Sequence, residues 1–239
     1  LMLCGARLVF FSAIAAAFFG AYAGDVLFSL YALGVILAFV AAIVLRKVFF
    51  RREVSPFVLE LPAYQKPSFR VAAVRMWDRG SMYLRKALGI ILIGLLIIGV
   101  LTATDAETLA FTTDPERSLV AALGRSLAPI FAPLNWDWRL VVAMIFGFVA
   151  KEIVLGASAM LYGAGEEEIA SRLASLYSPV DMYGYMTFIL IYIPCIVTVA
   201  AIRQETGSWK WTALAVVYGL ILAYIVNLLI VTIGRLLLG

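Results

Sequence analysis

The sequence predicts an all-α, polytopic membrane helix bundle. It has about six transmembrane helices, at least one of them discontinuous, and an amphipathic helix at the membrane surface. Three observations predict this. The chain is 64% hydrophobic, with a mean hydropathy of +1.01, well above the roughly half apolar usage of a soluble domain. Several apolar runs reach the ~20 residues that span a bilayer core. One of them, residues 186–205, carries Pro194-Cys195 near its middle, and proline has no N–H to continue a helix there.

The same composition narrows function. There is no His and there are two Cys. The commonest acid–base group and zinc ligand is therefore missing, and a disulfide framework is not expected. No G-x-x-x-x-G-K-[ST] phosphate loop occurs, nor any Ser/His, paired Asp or H-E-x-x-H pattern, so the chain does not read as an enzyme. The net charge of +4 is placed as membrane orientation requires, not as nucleic-acid binding would. The partner implied first is the lipid bilayer. No basic region precedes the first apolar run, so no signal peptide is expected, and a chain opening at Leu1 reads as a piece of something longer.

Residues 1–50 form a first hairpin. Its opening run, about 8–22, is short, and Ala13, Ala15, Ala16 and Ala17 permit close helix packing. Gly20 and Gly24-Asp25 punctuate it, and Asp25 can cap the longer helix at about 26–50. Residues 51–86 form a strap. Between Arg46 and Lys86 there are ten Lys or Arg against three acids, so residues 46–86 are expected in the cytoplasm. Pro56, Pro62 and Pro67 rule out a continuous helix. After Ser68, Val71, Val74, Trp77, Ser81 and Leu84 recur at three- or four-residue steps, with Arg70, Arg75 and Arg79 on other faces. That is the pattern of an amphipathic helix on the inner surface.

Residues 87–239 form the main bundle. The third run, about 87–104, leads into a polar stretch with Asp105, Glu107, Asp114 and Glu116 that suits the outside. A short amphipathic helix follows at about 117–131. Trp136 and Trp138 mark an interface, and all five Trp lie at edges of apolar runs. The fourth run, about 139–162, holds Lys151 and Glu152 at depth, where charge usually faces a cavity or a partner. A structural ion pair between helices is the alternative, but adjacent residues diverge on a helix and are not expected to pair with each other. Glu166, Glu167 and Glu168 could hold a cation, although such a run more often starts a solvated helix. The last run, about 212–238, has Asn227 inside and Arg235 near its end. Six crossings put both ends inside. They also put the Glu166 loop inside and the basic turn at 203–210 outside, against the charge rule.

The broken fifth run carries the functional reading. The ring of Pro194 collides with the carbonyl of Leu190 and leaves at least one carbonyl without its helical partner. In hydrocarbon this is tolerated only where backbone is buried in protein or lines a cavity. Cys195 falls in the first turn of the second half-helix, whose positive end and free N–H groups suit a negatively charged sulfur. Many transporters build a substrate site at such a break. A kink with a small buried Cys as filler is the alternative.

Five stretches together resemble one family. They are Cys4-Gly5-Ala6-Arg7-Leu8; Phe57-Val58-Leu59-Glu60-Leu61-Pro62-Ala63-Tyr64 with Pro67; Ala150-Lys151-Glu152 with Gly156; Tyr192-Ile193-Pro194-Cys195; and Arg203-Gln204-Glu205-Thr206-Gly207-Ser208-Trp209-Lys210-Trp211. In this order, and spread over the whole chain, they look like the C-terminal part of the membrane domain of the FeoB ferrous iron transporters. The Leu-Glu-Leu-Pro strap and the block from Pro-Cys to Gly-Ser-Trp carry most of the likeness. Two departures stand out. Leu8 is followed by Val9-Phe10-Phe11 where the family has Pro-Val-Tyr, and Leu3 stands where a Pro or Ser often precedes the first Cys. The proline-type break expected near Cys4 is therefore missing.

The resemblance implies Fe2+ as a substrate moved inward, with no tightly bound cofactor. It implies a membrane domain of two related gate-type halves, similar to nucleoside-transporter gates, of which this chain is mainly the second. A GTP-binding domain, with its Mg2+, and a helical spacer would lie upstream. A small cytoplasmic accessory protein and a homo-oligomer are the further partners expected. Fe2+ is of borderline softness and accepts thiolate with oxygen. Cys195 and the freed carbonyl of Leu190 would then form a site of low coordination at the Pro194 break, with Cys4, Glu152 and Thr198 as further contributors and Lys151 on the path. Glu60, Pro62, Gly156 and Glu205 belong to the structural motifs. Two other readings stay open. One is a gate-type transporter of a nucleoside-like solute, for which the buried polar set of Lys151, Glu152, Asn227 and Ser158 is thin. The other is a structural membrane subunit that scaffolds a partner.

Overall fold

The computed structural model describes residues 3–48, 68–105, 110–111, 115–149, 151, 153–165, 168–192 and 194–238. The strap at 51–67, with Glu60 and Pro62, lies outside these, as do Glu152, Glu166 and Glu167. Among the described residues the only β pairing is two isolated bridges, Thr104 with Phe111 and Asp105 with Ser118.

The helices are α1 (Gly5–Phe19), α2 (Ala23–Val48), α3 (Phe69–Ala103), α4 (Leu119–Phe131), α5 (Trp138–Val149), α6 (Ile153–Tyr162), α7 (Ile169–Leu176), α8 (Pro179–Ile191), α9 (Ile196–Thr206) and α10 (Trp209–Leu238). Local chemistry sets many of the ends. Gly20 ends α1 at φ 51°, where a side chain would be strained. Arg46 and Lys47 occupy the last turn of α2, opposite in sign to its dipole. Ser118 and Ser178 cap α4 and α8, each accepting from the N–H three residues on at 3.2 Å.

The centre of the molecule is α8. From Asp181 to Ile191 all but one of its residues are buried, and a helix apolar on every side belongs inside a bundle. Trp136 packs edge-on against Tyr185 and Phe188, with ring centroids 4.9 and 4.8 Å apart, and stacks on Phe131 at 5.2 Å. Trp136 is therefore a core residue, only 4% exposed, and not the interface marker expected; the turn before α5 aims it inward. Trp77 and Trp209 stay exposed.

Helices flank α8 on both sides. The α1–α2 hairpin packs Phe10 against Tyr185 and joins Ser29 to the Tyr183 hydroxyl at 3.0 Å. α10 lies along the other side, with Asn227 against Gly184 and Val180 against Gly234. Large apolar side chains remain exposed on α2, α3 and α10, among them Phe28, Phe39, Leu96, Ile221 and Ile233, which suits lipid contact. Residues 7–48, 179–206 and 209–237 are long and apolar enough to cross a membrane.

Three expectations change. The amphipathic stretch after Ser68 and the third run form one rod of 35 residues, α3, because no proline lies between them. The fourth run is not one rod: α5 and α6 fold back on each other. The Tyr162 hydroxyl at the end of α6 donates to Asp137 Oδ1, just before α5, at 2.8 Å. That reversal moves the loops after it. Asn135, Asp137, Tyr162 and Asp181 gather at one end, where Asn135 and Arg235 donate to Asp181 at 2.9 and 2.7 Å. At the other end, Leu45 of α2, Ile202 and Thr206 of α9 and Trp211 of α10 line one cavity. The basic turn at 203–210 thus shares the Arg46-Lys47 end and the loop after α6 lies opposite, as the charge rule asks, but Arg235 bonds Asp181 at that opposite end, so the expectation that α10 ends inside is overturned.

Candidate functional site

The break after α8 forms where Pro194 requires it. Tyr192 closes α8, its N–H donating to the Phe188 carbonyl at 2.8 Å, and Cys195 stands at the N-cap of α9 in extended backbone. The Cys195 sulfur lies 3.2 Å from Thr198 Oγ1. Cys195 is half-buried, and no residue of α9 is buried, in contrast to α8. The carbonyl of Leu190, expected as an ion ligand, is already engaged: Arg7 Nη1 donates to it at 2.8 Å. The reason is that α1 runs antiparallel to α8 and sets a buried guanidinium, 7% exposed, beside an acceptor that proline has released. A buried cation needs such an acceptor.

A second break faces the first. Lys151 lies in the turn between α5 and α6, where the sequence gives no proline to announce it. It is 4% exposed, and its Nζ is 3.4 Å from the centroid of the Tyr192 ring, a desolvated cation–π contact. The Tyr192 hydroxyl donates to the Met144 carbonyl of α5 at 3.0 Å, which fixes the ring. Gly147 makes room for both: a Cβ there would lie 2.5 Å from Val154 Cγ2 and 2.8 Å from Tyr192 Oη.

Cys4 caps the start of α1 without a side-chain hydrogen bond and is exposed. Arg7 and Lys151 each lie within electrostatic reach of both Cys4 and Cys195. The structure therefore gathers Cys4, Lys151, Pro194, Cys195 and Thr198 into one neighbourhood. Arg7 and Tyr192 join them, although sequence reasoning gave neither a role. Arg7 carried a usable signal, a charge inside an apolar run. Tyr192 carried only its place beside Pro194. Gly156 sits half-buried within α6, and Glu205 is exposed in the last turn of α9.

A cavity of 760 Å³ leads from the break along α9 to the Arg46-Lys47 end, lined by Arg7, Tyr192, Pro194 and Thr198 near the break and by mostly apolar residues beyond. Among the described residues no group of three or more Cys, Asp or Glu gathers as a closed metal cage. Two thiols, a hydroxyl and an aromatic face beside a cavity can pass an ion along.

Comparison with known proteins places the chain. A gate model described as nucleoside recognition matches residues 84–209, and a model for the C terminus of ferrous iron transport protein B matches residues 27–79. The Fe(2+) transporter FeoB of Methanocaldococcus jannaschii is 44% identical, over 99% of this chain and 36% of that protein. The FeoB of Staphylococcus aureus strain MSSA476 is 35% identical, over 98% of this chain and 35% of its own length. A fusion of Fe(2+) transport protein A with FeoB in Porphyromonas gingivalis is 34% identical, over 98% of this chain and 33% of that protein. The chain spans about a third of the length of these curated relatives. No solved structure matches.

Proposed function

Because this chain belongs to the gate family, as the C-terminal membrane part of an FeoB-type transporter, we propose that it forms part of the permease of a ferrous iron uptake system. It moves Fe2+ toward the cytoplasm, and the basic residues at 46–86 face that side. The observation that carries this reading is the meeting of two helix breaks, with the Cys195 sulfur and the Thr198 hydroxyl 3.2 Å apart beside the cavity. Relatives named as Fe(2+) transporters support it.

In this reading Cys195 is the main metal ligand, with Cys4, Glu152 and Thr198 as further contributors. Pro194 opens the helix, and Lys151 lines the path. Fe2+ accepts sulfur and oxygen together, and a site with few ligands releases its ion as transport demands. A GTP-binding domain, with its Mg2+, belongs in this reading to the part of the protein upstream of this chain. The fusion of transport protein A to FeoB in one relative supports a small cytoplasmic partner, and a homo-oligomer completes the assembly. The reading as a nucleoside carrier is not favoured. Ser158 donates to the Val154 carbonyl at 2.7 Å and is fully buried, and Asn227 is enclosed between α8 and α10, so neither lines the cavity.

The test is Cys195→Ser in the full-length protein. The expected result is loss of Fe2+ uptake with expression and membrane insertion intact. Normal uptake by this variant would remove the thiol from the mechanism.

A further inference from the structure

We propose that α10 slides along α8 in each transport cycle, and that Asn227 latches a second position in which its amide bonds the Thr187 hydroxyl. This rests on reading the chain as part of a permease.

The seam between the two helices leaves its polar groups unpaired. Asn227 is fully buried, and among the described residues neither its Oδ1 nor its Nδ2 has a hydrogen-bond partner. Thr187 is also fully buried, and its Oγ1 has none either. Such groups are costly in a dry interior, and native structures pair nearly all of them. The contacts along the seam show that these two are neighbours. The helices run antiparallel, with Val180 against Gly234, Gly184 against Asn227 and the Tyr192 carbonyl against Gly219. At 3.6 residues per turn, Thr187 falls on the same stripe of α8 as Val180 and Gly184, about one turn nearer the break. Asn227 aims its Oδ1 at Gly184, where a Cβ would lie only 2.3 Å away. The slot that this glycine leaves thus holds the amide short of Thr187.

A slide of α10 toward the break closes that gap. Helix shifts of ~1–2 Å are common in switching proteins, and the arm of the Asn227 side chain covers the rest. Gly184, Gly219 and Gly234 present no side chain that would lock the seam in one register. The two positions differ in their bonds. The slide gains the pair of Asn227 with Thr187 and stretches the pair of Arg235 with Asp181, 2.7 Å long at the far end of the seam. Its effect reaches the ion route directly. Gly219 lies against the Tyr192 carbonyl, 3.3 Å from where its Cβ would stand, and Leu214, Tyr218 and Gly219 line the cavity beside Pro194. When α10 moves, that wall of the cavity moves with it.

The test measures Fe2+ uptake by the full-length transporter in lipid vesicles. Val180→Cys and Gly234→Cys are combined in one protein. A Cβ on Gly234 lies 3.5 Å from Val180 Cβ, within the range a disulfide spans. Oxidation is expected to abolish uptake and reduction to restore it, with wild type treated alike because Cys195 is itself a thiol. Full uptake by the cross-linked protein would overturn the slide while leaving the iron reading in place. Asn227→Ala and Thr187→Val are each expected to slow uptake about tenfold, and the double variant to be no slower than either, because one bond is lost in all three. Thr187→Val keeps the shape and removes an unpaired hydroxyl, so its thermal midpoint is expected to rise. A lowered midpoint in Thr187→Val, or slowing that multiplies in the double variant, would overturn the latch. Wild-type vesicles that take up no Fe2+ would overturn the iron reading and this proposal with it.

Discussion

Arg7 decides how the break after α8 is held. Its Nη1 donates to the Leu190 carbonyl that Pro194 released, so a lost helical bond becomes a charge-assisted one. Replacing Arg7 by Met leaves that carbonyl without its donor in a dry setting. The predicted cost is ~1–3 kcal/mol, read as a lower thermal midpoint in detergent, with part of it recovered by Arg7→Lys. An unchanged midpoint would mean that another donor serves Leu190. The sequence contained the means to find Arg7. The rule that flagged Lys151, that a charge inside an apolar run faces a cavity or partner, applies equally to Arg7. The first apolar run was drawn from residue 8, which left Arg7 just outside it.

Among the elements, the two breaks differ in how legible they were. The one at Pro194 follows from a single residue that cannot continue a helix. The one at Lys151 does not. Ala150-Lys151-Glu152 are good helix formers, and only contacts distant in sequence close α5 on α6, such as Tyr162 with Asp137. For the same reason the cluster of Cys4, Lys151 and Cys195 could be named residue by residue but not assembled. The hairpin depends on Gly147, so Gly147→Ala is predicted to lower stability by ~1–3 kcal/mol through overpacking and to lower Fe2+ uptake. Gly165→Ala, whose added Cβ meets nothing within 4 Å, is the control and should leave both unchanged. Equal behaviour of the two variants in denaturation and uptake would sink the tight hairpin.

For the whole molecule, helical class and membrane placement were legible from hydropathy, but the course of the chain was not. Counting each apolar run as a crossing put the basic turn at 203–210 on the wrong face, because a run that doubles back has the composition of one that crosses. With α5 and α6 paired, the basic residues of α2 and of the α9–α10 turn gather at one end, as the positive-inside rule requires. Single cysteines in a cysteine-free background can map this. Lys47→Cys and Lys210→Cys are predicted to react with an impermeant thiol reagent from one face of the membrane, and Ser171→Cys, exposed on α7, from the other. Labelling of Lys210→Cys and Ser171→Cys from the same face would refute the arrangement.

Iron K-edge X-ray absorption on the full-length protein, loaded anaerobically with Fe2+, asks most directly whether the Cys195 break carries the ion. The predicted spectrum contains a sulfur atom bound to the iron, and the same measurement on Cys195→Ser has lost it. An iron surrounded by oxygen and nitrogen alone, identical in both proteins, would contradict that role.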